Sequence, residues 1–536
     1  MKKYIYIKLL AVSLLSGFLF SCAYTNLEIG WLAIIALTLL FSAEYSAKEN
    51  GLKNFWICYF LCFLVWNALA TYWIWYATKG GAVAAILLNS LQMAVIFRVF
   101  RWMRCRFQGM VPYLAFAALW LCWEHFYFTW QVSWPWLTLG NSFAALTKYV
   151  QWYSVTGTLG GSLWILLASI LLFFTIKSFL EKKKRLHYSI ALVVIVLAPI
   201  IWSLSIYNKV SKDQETLPKK EVVVLQPNID PYNTKFTASQ SEQDSILLNL
   251  ASSAVTPQTF LVIAPETFFN PSKEAGLLVE DSPHTNKSVK RYNEFVQTHN
   301  LNFLYGAVTQ LSSVSMRQPS PYSRNAGLNF WINVFNSAVL NTTDGRVYFY
   351  HKSKLVILAE SVPVINKKPV FESLGIDLGG EIGNFTPQEY RYVFKTQDEV
   401  LFGTAICYES VFGDFYREYV QKGAQFMTII TNDGWWRDTP GHIQHFNYAR
   451  LRAVETHRYI ARSANTGISA IIDAKGDVVE QTPWWEECYL RGEVALNKEI
   501  TPFVRYGDIV GIVASWCALA FVVLALLSYL FKKRRG

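Results

Sequence analysis

At 536 residues, with 52% hydrophobic and only 16% charged residues, the chain is too apolar for an array of soluble domains, whose averages are about 45–50% and 25%. Its net charge of +11 does not point to nucleic acid, because the basic residues cluster in short loops between apolar runs, where membrane topology explains them. No Walker-type phosphate loop, CxxC pair or Cys/His metal spacing appears, so nucleotide and metal chemistry have no signal.

Apolar runs near 5–23, 27–43, 54–77, 81–99, 111–130, 159–180 and 188–206 can each cross about 30 Å of hydrocarbon, the second barely, and an eighth covers 508–531. Lipid offers no partner to an unpaired peptide group, so each run is predicted to be a helix. The connections alternate in charge. Lys2, Lys3 and Lys8 flank the first run, and Lys48 and Lys53 follow the second. Arg98, Arg101, Arg104 and Arg106 follow the fourth, and Lys177, Lys182, Lys183, Lys184 and Arg185 the sixth. Lys532, Lys533, Arg534 and Arg535 follow the last, whereas the opposite connections hold little beyond Lys79 and Lys148. The positive-inside rule then makes both termini cytoplasmic and puts the region after residue 206 outside, in the periplasm of a two-membrane bacterium. The stretch 131–158, with Trp134, Pro135, Trp136, Gly140, Trp152 and Gly157, is too polar and broken for a span. It reads either as an interfacial aromatic belt or as a re-entrant stretch. Leu19-Phe20-Ser21-Cys22 faintly resembles a lipoprotein processing box, but Phe20 fits poorly and further spans follow, so the first helix is read as an anchor. The expected division is a membrane domain over 1–210, a soluble domain over 217–500, and a terminal helix with a basic tail over 507–536.

Within the soluble domain, β-rich runs recur at 221–225, 260–263, 303–306, 400–406, 426–431 and 468–472. Stretches with helical period lie between them at 240–252, 286–299, 409–422 and 443–458, which indicates a layered α/β domain. Three strand-like runs carry or end in reactive groups: Ala264-Pro265-Glu266-Thr267, the run from Arg346 through His351-Lys352-Ser353-Lys354, and Ile406-Cys407-Tyr408-Glu409-Ser410. A thiol needs a base to become a nucleophile, which Glu266 can supply, and a lysine can stabilise both thiolate and oxyanion. Six cysteines (Cys22, Cys58, Cys62, Cys105, Cys122 and Cys517) lie in spans or inner loops and read as small apolar residues. Cys407 follows an apolar strand while Cys488 sits in the polar stretch Trp484-Trp485-Glu486-Glu487, so no disulfide between them is expected.

Pro265-Glu266-Thr267, then Tyr350-His351-Lys352 with a later Glu360, then Ile406-Cys407-Tyr408-Glu409, in this order resemble the nitrilase superfamily, whose Glu-Lys-Cys triad sits in an α-β-β-α sandwich. With eight spans around that domain, the chain resembles the membrane-embedded apolipoprotein N-acyltransferase family of that superfamily. The likeness extends to Gln226-Pro227-Asn228, Thr431-Asn432-Asp433-Gly434-Trp435-Trp436, Gln444-His445, Ala449 through Ala453, and Arg462 through Gly467. It implies Glu266 as general base, Lys352 as the stabilising lysine and Cys407 as the acylated nucleophile. Lys354 competes for the lysine role, but the family places its lysine eight positions before a supporting glutamate, as Lys352 stands to Glu360. Glu360, Tyr408 and Glu409 match residues used around the intermediate, and Trp435 one that shapes the lipid site. Two motifs depart from the family pattern: Ala264 replaces a tryptophan before Pro265-Glu266, and Leu355-Val-Ile-Leu-Ala-Glu360 replaces Leu-Val-Pro-Phe-Gly-Glu. The resemblance implies a ping-pong transfer, without metal or cofactor, from a phospholipid such as phosphatidylethanolamine to the α-amine of a diacylglyceryl-cysteine lipoprotein. It further implies a monomer in the inner membrane; a membrane-tethered amidase is the alternative.

Overall fold

The protein is described by a computed structural model covering residues 2–535 except 184, 236, 270–276, 358, 362–363, 366–367 and 370–384, so Lys184 of the basic loop and Leu358 of the divergent motif lie outside it. The chain forms two compact units, one of Met1–Trp75, Ala82–Asn208 and Tyr506–Gly536, the other of Tyr76–Gly81 and Lys209–Arg505.

The first unit is helical: α1 (Lys2–Thr25), α2 (Leu32–Glu49), α3 (Trp56–Thr71), the start of α4 (Ile74–Ala77), most of α5 (Lys79–Met103), α6 (Val111–Thr129), α7 (Tyr153–Leu180), most of α8 (Leu186–Glu215), and the C-terminal helix Ile509–Arg535. Every apolar run folds as helix, but the third is broken between α3 and α4. Near the break Asn67 Nδ2 donates to the Phe63 carbonyl (2.8 Å) and Thr71 Oγ1 to that of Asn67 (2.6 Å), side-chain bonds that compete with a regular ladder. Among the described residues five helices are long and apolar enough to cross a membrane: Lys2–Thr25, Lys79–Met103, Tyr153–Leu180, Leu186–Glu215 and Ile509–Leu530. The stretch 131–158 forms three short 3-10 turns whose Trp136, Leu139 and Phe143 are buried. Its irregular backbone is satisfied from neighbouring helices. Tyr24 Oη donates to the Thr138 carbonyl (2.7 Å), the Leu139 amide donates to Glu124 Oε1 (2.8 Å), and the Gly140 amide to Ser162 Oγ (2.9 Å). Irregular backbone of this kind needs enclosure by protein where water is scarce, and here neighbouring helices supply its partners.

The second unit holds two mixed sheets. Its first half supplies β1 (Lys219–Gln226), β2 (Thr259–Ile263), β3 (Leu278–Val279), β4 (Asn302–Val314), β5 (Arg324–Gly327), β6 (Phe330–Asn341) and β7 (Val347–His351). After a short ribbon of β8 (Val364–Ile365) and β9 (Lys368–Pro369) come β10 (Val393–Lys395), β11 (Leu401–Ile406), β12 (Phe426–Thr431), β13 (Ile460–Ala464), β14 (Ala470–Ile472), β15 (Val478–Gln481) and β16 (Cys488–Ala495). One sheet runs β16–β1–β2–β4–β6–β5, with β3 on β4 and β7 on β6; the other runs β10 through β15 in sequence order. At the centre of each lie three parallel strands, β1–β2–β4 and β11–β12–β13. Parallel neighbours need crossovers, supplied by α9 (Gln240–Ala254), α10 (Lys287–His299), α11 (Gly413–Gln421) and α12 (Pro440–Thr456).

Leu247 and Ala251 of α9 and Val289, Tyr292 and Val296 of α10 bury their apolar stripe against Val223, Val262, Phe303 and Tyr305 of the first sheet. Gln226 clamps the sheets together: Ser469 Oγ and Thr482 Oγ1 donate to its Oε1 (2.9 and 2.7 Å) and its Nε2 donates to the Pro483 carbonyl (2.8 Å). Ser463 Oγ adds a bond to the Leu225 carbonyl (2.7 Å). The layering is the nitrilase-like α-β-β-α sandwich. Phe303, fully buried between Tyr292 and Tyr305, anchors the first helix–sheet layer. Phe303→Ala should therefore cost about 3–5 kcal/mol, read as a lower unfolding midpoint of this unit; a change below about 1 kcal/mol would contradict the packing described.

Candidate active site

Parallel strands aim residues at their carboxyl ends into a cleft, and both sheets use this. Glu266 lies in the turn leaving β2, Cys407 directly follows β11, and Asn432-Asp433 follow β12; Lys352 follows β7. The turn at Glu266 is forced against β4. The Ala264 amide donates to the Leu304 carbonyl (2.8 Å) and the Gly306 amide to that of Pro265 (3.1 Å). A Cβ on Gly306 would lie 2.4 Å from the Thr267 nitrogen and 2.5 Å from the Glu266 Cα, so only glycine admits the turn. Thr267 and Cys407 both take left-handed backbone (φ 47° and 50°), a strained state for residues with side chains that concentrates at functional turns.

These turns bring the charges together. Lys352 Nζ donates to Glu266 Oε1 (2.9 Å) and to Glu360 Oε1 (2.8 Å), with all three side chains buried. Asn336 of β6 repeats the bridge, its Nδ2 donating to the same two oxygens at 2.8 Å each. Glu360 is fixed by the Val356 amide on Oε2 (2.8 Å), and Lys352 by its own amide on the Asn336 carbonyl (2.8 Å).

Burial alone would raise the Glu266 carboxyl, but the Lys352 cation, helped by Asn336 and Lys235, outweighs it and holds the group below the usual carboxylate range. Burial opposes the Lys352 cation in turn, yet Glu266, Glu360 and Cys407 together keep it well above its ordinary value. Cys407 keeps part of its surface open, but burial of the thiol and then the Glu266 charge push it well above the ordinary range, against the pull of Lys352 and a bond from Thr431. The resting site is thus an ionised carboxylate, a locked ammonium and a neutral thiol. Lys354 does not join it: its Nζ lies over the Phe412 ring, 5.1 Å from the centroid.

The other expected residues take different stations. Glu409 ties two reactive segments together: its Oε1 accepts from Tyr350 Oη (2.7 Å) and the Ser353 amide (2.6 Å), its Oε2 from the Ile406 amide (2.8 Å). Tyr408 is buried edge-on to Phe412. Half-buried Trp435 sits at the side of Lys235: its carbonyl accepts from Tyr232 Oη (2.6 Å) and its ring lies 5.9 Å from the ammonium of Lys235. Cys488 is on β16 and all eight thiols are free.

Three participants escaped the sequence reading. Asn336 interrupts an apolar strand, a signal that could have been read. Lys235, buried with its Nζ 2.5 Å from Thr267 Oγ1, stands in a polar stretch with nothing to single it out. The third is a network beneath the nucleophile. His445 Nε2 lies 3.1 Å from the Cys407 carbonyl and 3.0 Å from Ser410 Oγ, while its Nδ1 meets Asp433 Oδ1 at 3.0 Å. Arg462 donates to Asp433 Oδ2 (2.7 Å), and Ser410 Oγ to the Cys407 carbonyl (2.8 Å).

The carbon-nitrogen hydrolase family model matches residues 221–500, and the model of the apolipoprotein N-acyltransferase N-terminal domain matches 16–171. A curated apolipoprotein N-acyltransferase of Chlorobaculum tepidum is 30% identical over 514 residues, 93% of this chain and 92% of that one. One of Geobacter metallireducens is 26% identical over 535 residues, 97% of this chain and 95% of that one. Matched from its membrane helices through its sandwich domain, the chain belongs to the apolipoprotein N-acyltransferase family, integral membrane proteins that carry a carbon-nitrogen hydrolase domain.

Proposed function

We propose that this chain moves an acyl group from a membrane phospholipid, phosphatidylethanolamine foremost, onto the α-amine of a diacylglyceryl-cysteine lipoprotein, by way of a thioester on Cys407. The observation that carries this reading is the buried Glu266–Lys352–Glu360 cluster beside a neutral thiol. Glu266 takes the thiol proton as Sγ attacks the ester carbonyl, and Lys352 stabilises the developing oxyanion. The C–O bond to glycerol then breaks, Glu266 returns the proton to the leaving alkoxide, and a lysophospholipid departs. In the second half the lipoprotein amine attacks the thioester, Glu266 receives its proton, the C–S bond breaks, and the thiolate recovers the proton as the amide leaves. Sulfur suits this relay because a thioester is a good acyl donor to an amine. Glu360 holds Lys352 from the far side and Glu409 braces the lysine loop against the strand bearing the nucleophile. Tyr408 and Trp435 contribute to the wall around the acyl chain.

Eight spans, divided near residues 210 and 507 from a periplasmic catalytic domain, with both termini cytoplasmic, follow from the alternation of basic loops. On this reading the enzyme works as a monomer in the inner membrane, where neither lipid substrate leaves the bilayer.

Depletion of the protein, followed by rescue, tests the function. Lipoproteins should lose the mass of one acyl chain, restored by wild type and not by Cys407→Ala; rescue by Cys407→Ala would sink the role of the thiol, and release of free fatty acid without lipoprotein acylation would favour hydrolysis. Asn336→Ala removes a neutral donor shared by both carboxylates. Glu266 must be ionised to act, and its depressed pKa keeps the acid limb of kcat/KM below the usual carboxylate range. The variant should shift that limb upward and lower kcat/KM about tenfold to a hundredfold, the worth of one hydrogen bond to a charged group. An unmoved limb would contradict this. Gly306→Ala drives a methyl into the backbone of the Glu266 turn, so the rate should fall about a hundredfold for a shift near 1 Å. Wild-type turnover in that variant would show the turn free to move.

A further inference from the structure

The β4–β6 pair continues beyond the rest of its sheet. Pairing of β4 with β2 ends at Leu304 and with β3 at Gln310, and pairing of β6 with β7 begins at Ser337, yet β4 and β6 stay in register to Val314–Phe330. Past Gln310, among the described residues, only β5 joins them, so residues 311–332 form a three-stranded arm. Its end is tied down: Trp331 Nε1 donates to the Ser315 carbonyl (2.9 Å) and the Ser315 amide to that of Asn329 (2.8 Å). The side chains there are the reverse of what water selects. Leu328 stands in the two-residue turn between Gly327 and Phe330, beside left-handed Asn329, where polar residues and glycine prevail, and it is 102% exposed. Met316 is 89% and Val314 79% exposed, and Phe330 adds a partly open ring. A cluster of bare apolar side chains on an ordered hairpin marks an interaction surface. Charge narrows the partner: the arm carries Arg317 and Arg324, and no Asp or Glu occurs from 295 to 343.

We propose that this arm docks on a lipid surface bearing anionic headgroups, with Val314, Met316 and Leu328 entering the acyl boundary and Arg317 at the phosphates. An apolar tip with a cationic flank is the chemistry of interfacial anchoring. Because apolar helices of the same chain already hold it in a membrane, the arm meets lipid at high effective concentration and a small apolar area suffices. Among the described residues β5 pairs with β6 alone, so a peptide partner would be expected to extend that edge instead.

The test uses the full chain in nanodiscs of phosphatidylethanolamine with phosphatidylglycerol, carrying a photoreactive benzoylphenylalanine at Leu328, or as control at Val479, an exposed apolar residue on the edge strand β15. After illumination, intact mass should show a phospholipid adduct at Leu328 in several-fold greater yield than at Val479. That yield should fall about twofold or more with Arg317→Gln. Equal yields at both positions, an adduct with a second copy or with a lipoprotein, insensitivity to Arg317→Gln, or no adduct would overturn the proposal. The Cys407→Ala chain should give the same adduct, so failure of the arm and failure of the thiol chemistry are separable.

Discussion

Everything in the site depends on one buried cation. The Lys352 ammonium sits between the carboxylates of Glu266 and Glu360, and without it two negative charges would share a water-poor space. Like charges so close would drive one carboxyl to protonate, and a protonated Glu266 is no base. Removing one partner from such a buried cluster leaves an uncompensated charge, so the three groups and Asn336 stand or fall together. The same cation faces Cys407, but its pull on the thiol is offset by burial and by Glu266. A thiol so raised rests neutral, which the proposed mechanism uses by activating it through proton transfer to Glu266 rather than storing it as a thiolate. A neutral thiol is less prone to alkylation and oxidation than a thiolate.

The fold exists to hold that arrangement under strain. Two sheets each present the carboxyl ends of parallel strands, and the reactive residues stand on turns that no relaxed backbone would choose. Thr267 and Cys407 both adopt left-handed conformations. Each turn is over-determined by its surroundings: Gly306 and the β4 carbonyls on one side, and the Ser410–His445–Asp433–Arg462 network on the other. Glu409 joins the loop after β7 to the end of β11, so the lysine and the cysteine cannot drift independently. The Gln226 clamp does the same for the sheets as wholes.

How much of this was legible follows from what each feature requires. Hydrophobic runs and their periods are local, so the helices and the strands β1, β2, β4, β7, β11, β12 and β14 could be placed from sequence, whereas β6, β13 and β16 were not; the break after Thr71 depends on side-chain bonds and could not be foreseen. The segments of the candidate site were visible because Glu266, Lys352 and Cys407 stand at the ends of apolar runs, and the choice of Lys352 over Lys354 rested on its spacing to Glu360. In the structure Lys352 joins the two carboxylates, while the ammonium of Lys354 lies over the Phe412 ring. Glu409 was expected around the intermediate, and its bonds run to backbone and Tyr350, a brace that only tertiary structure reveals. Asn336 stood out locally as a polar residue in an apolar strand, but its role, like that of Lys235, comes from residues far along the chain.

The central claim is that Cys407 carries the acyl group and that the Lys352-centred cluster puts it there. Intact-protein and peptide mass spectrometry, after a single turnover with phospholipid and no acceptor, measures this directly. The account predicts one acyl chain on the Cys407 peptide of the wild-type protein and none on a Lys352→Gln variant. An acyl group on any other residue, or equal loading of the variant, would contradict it.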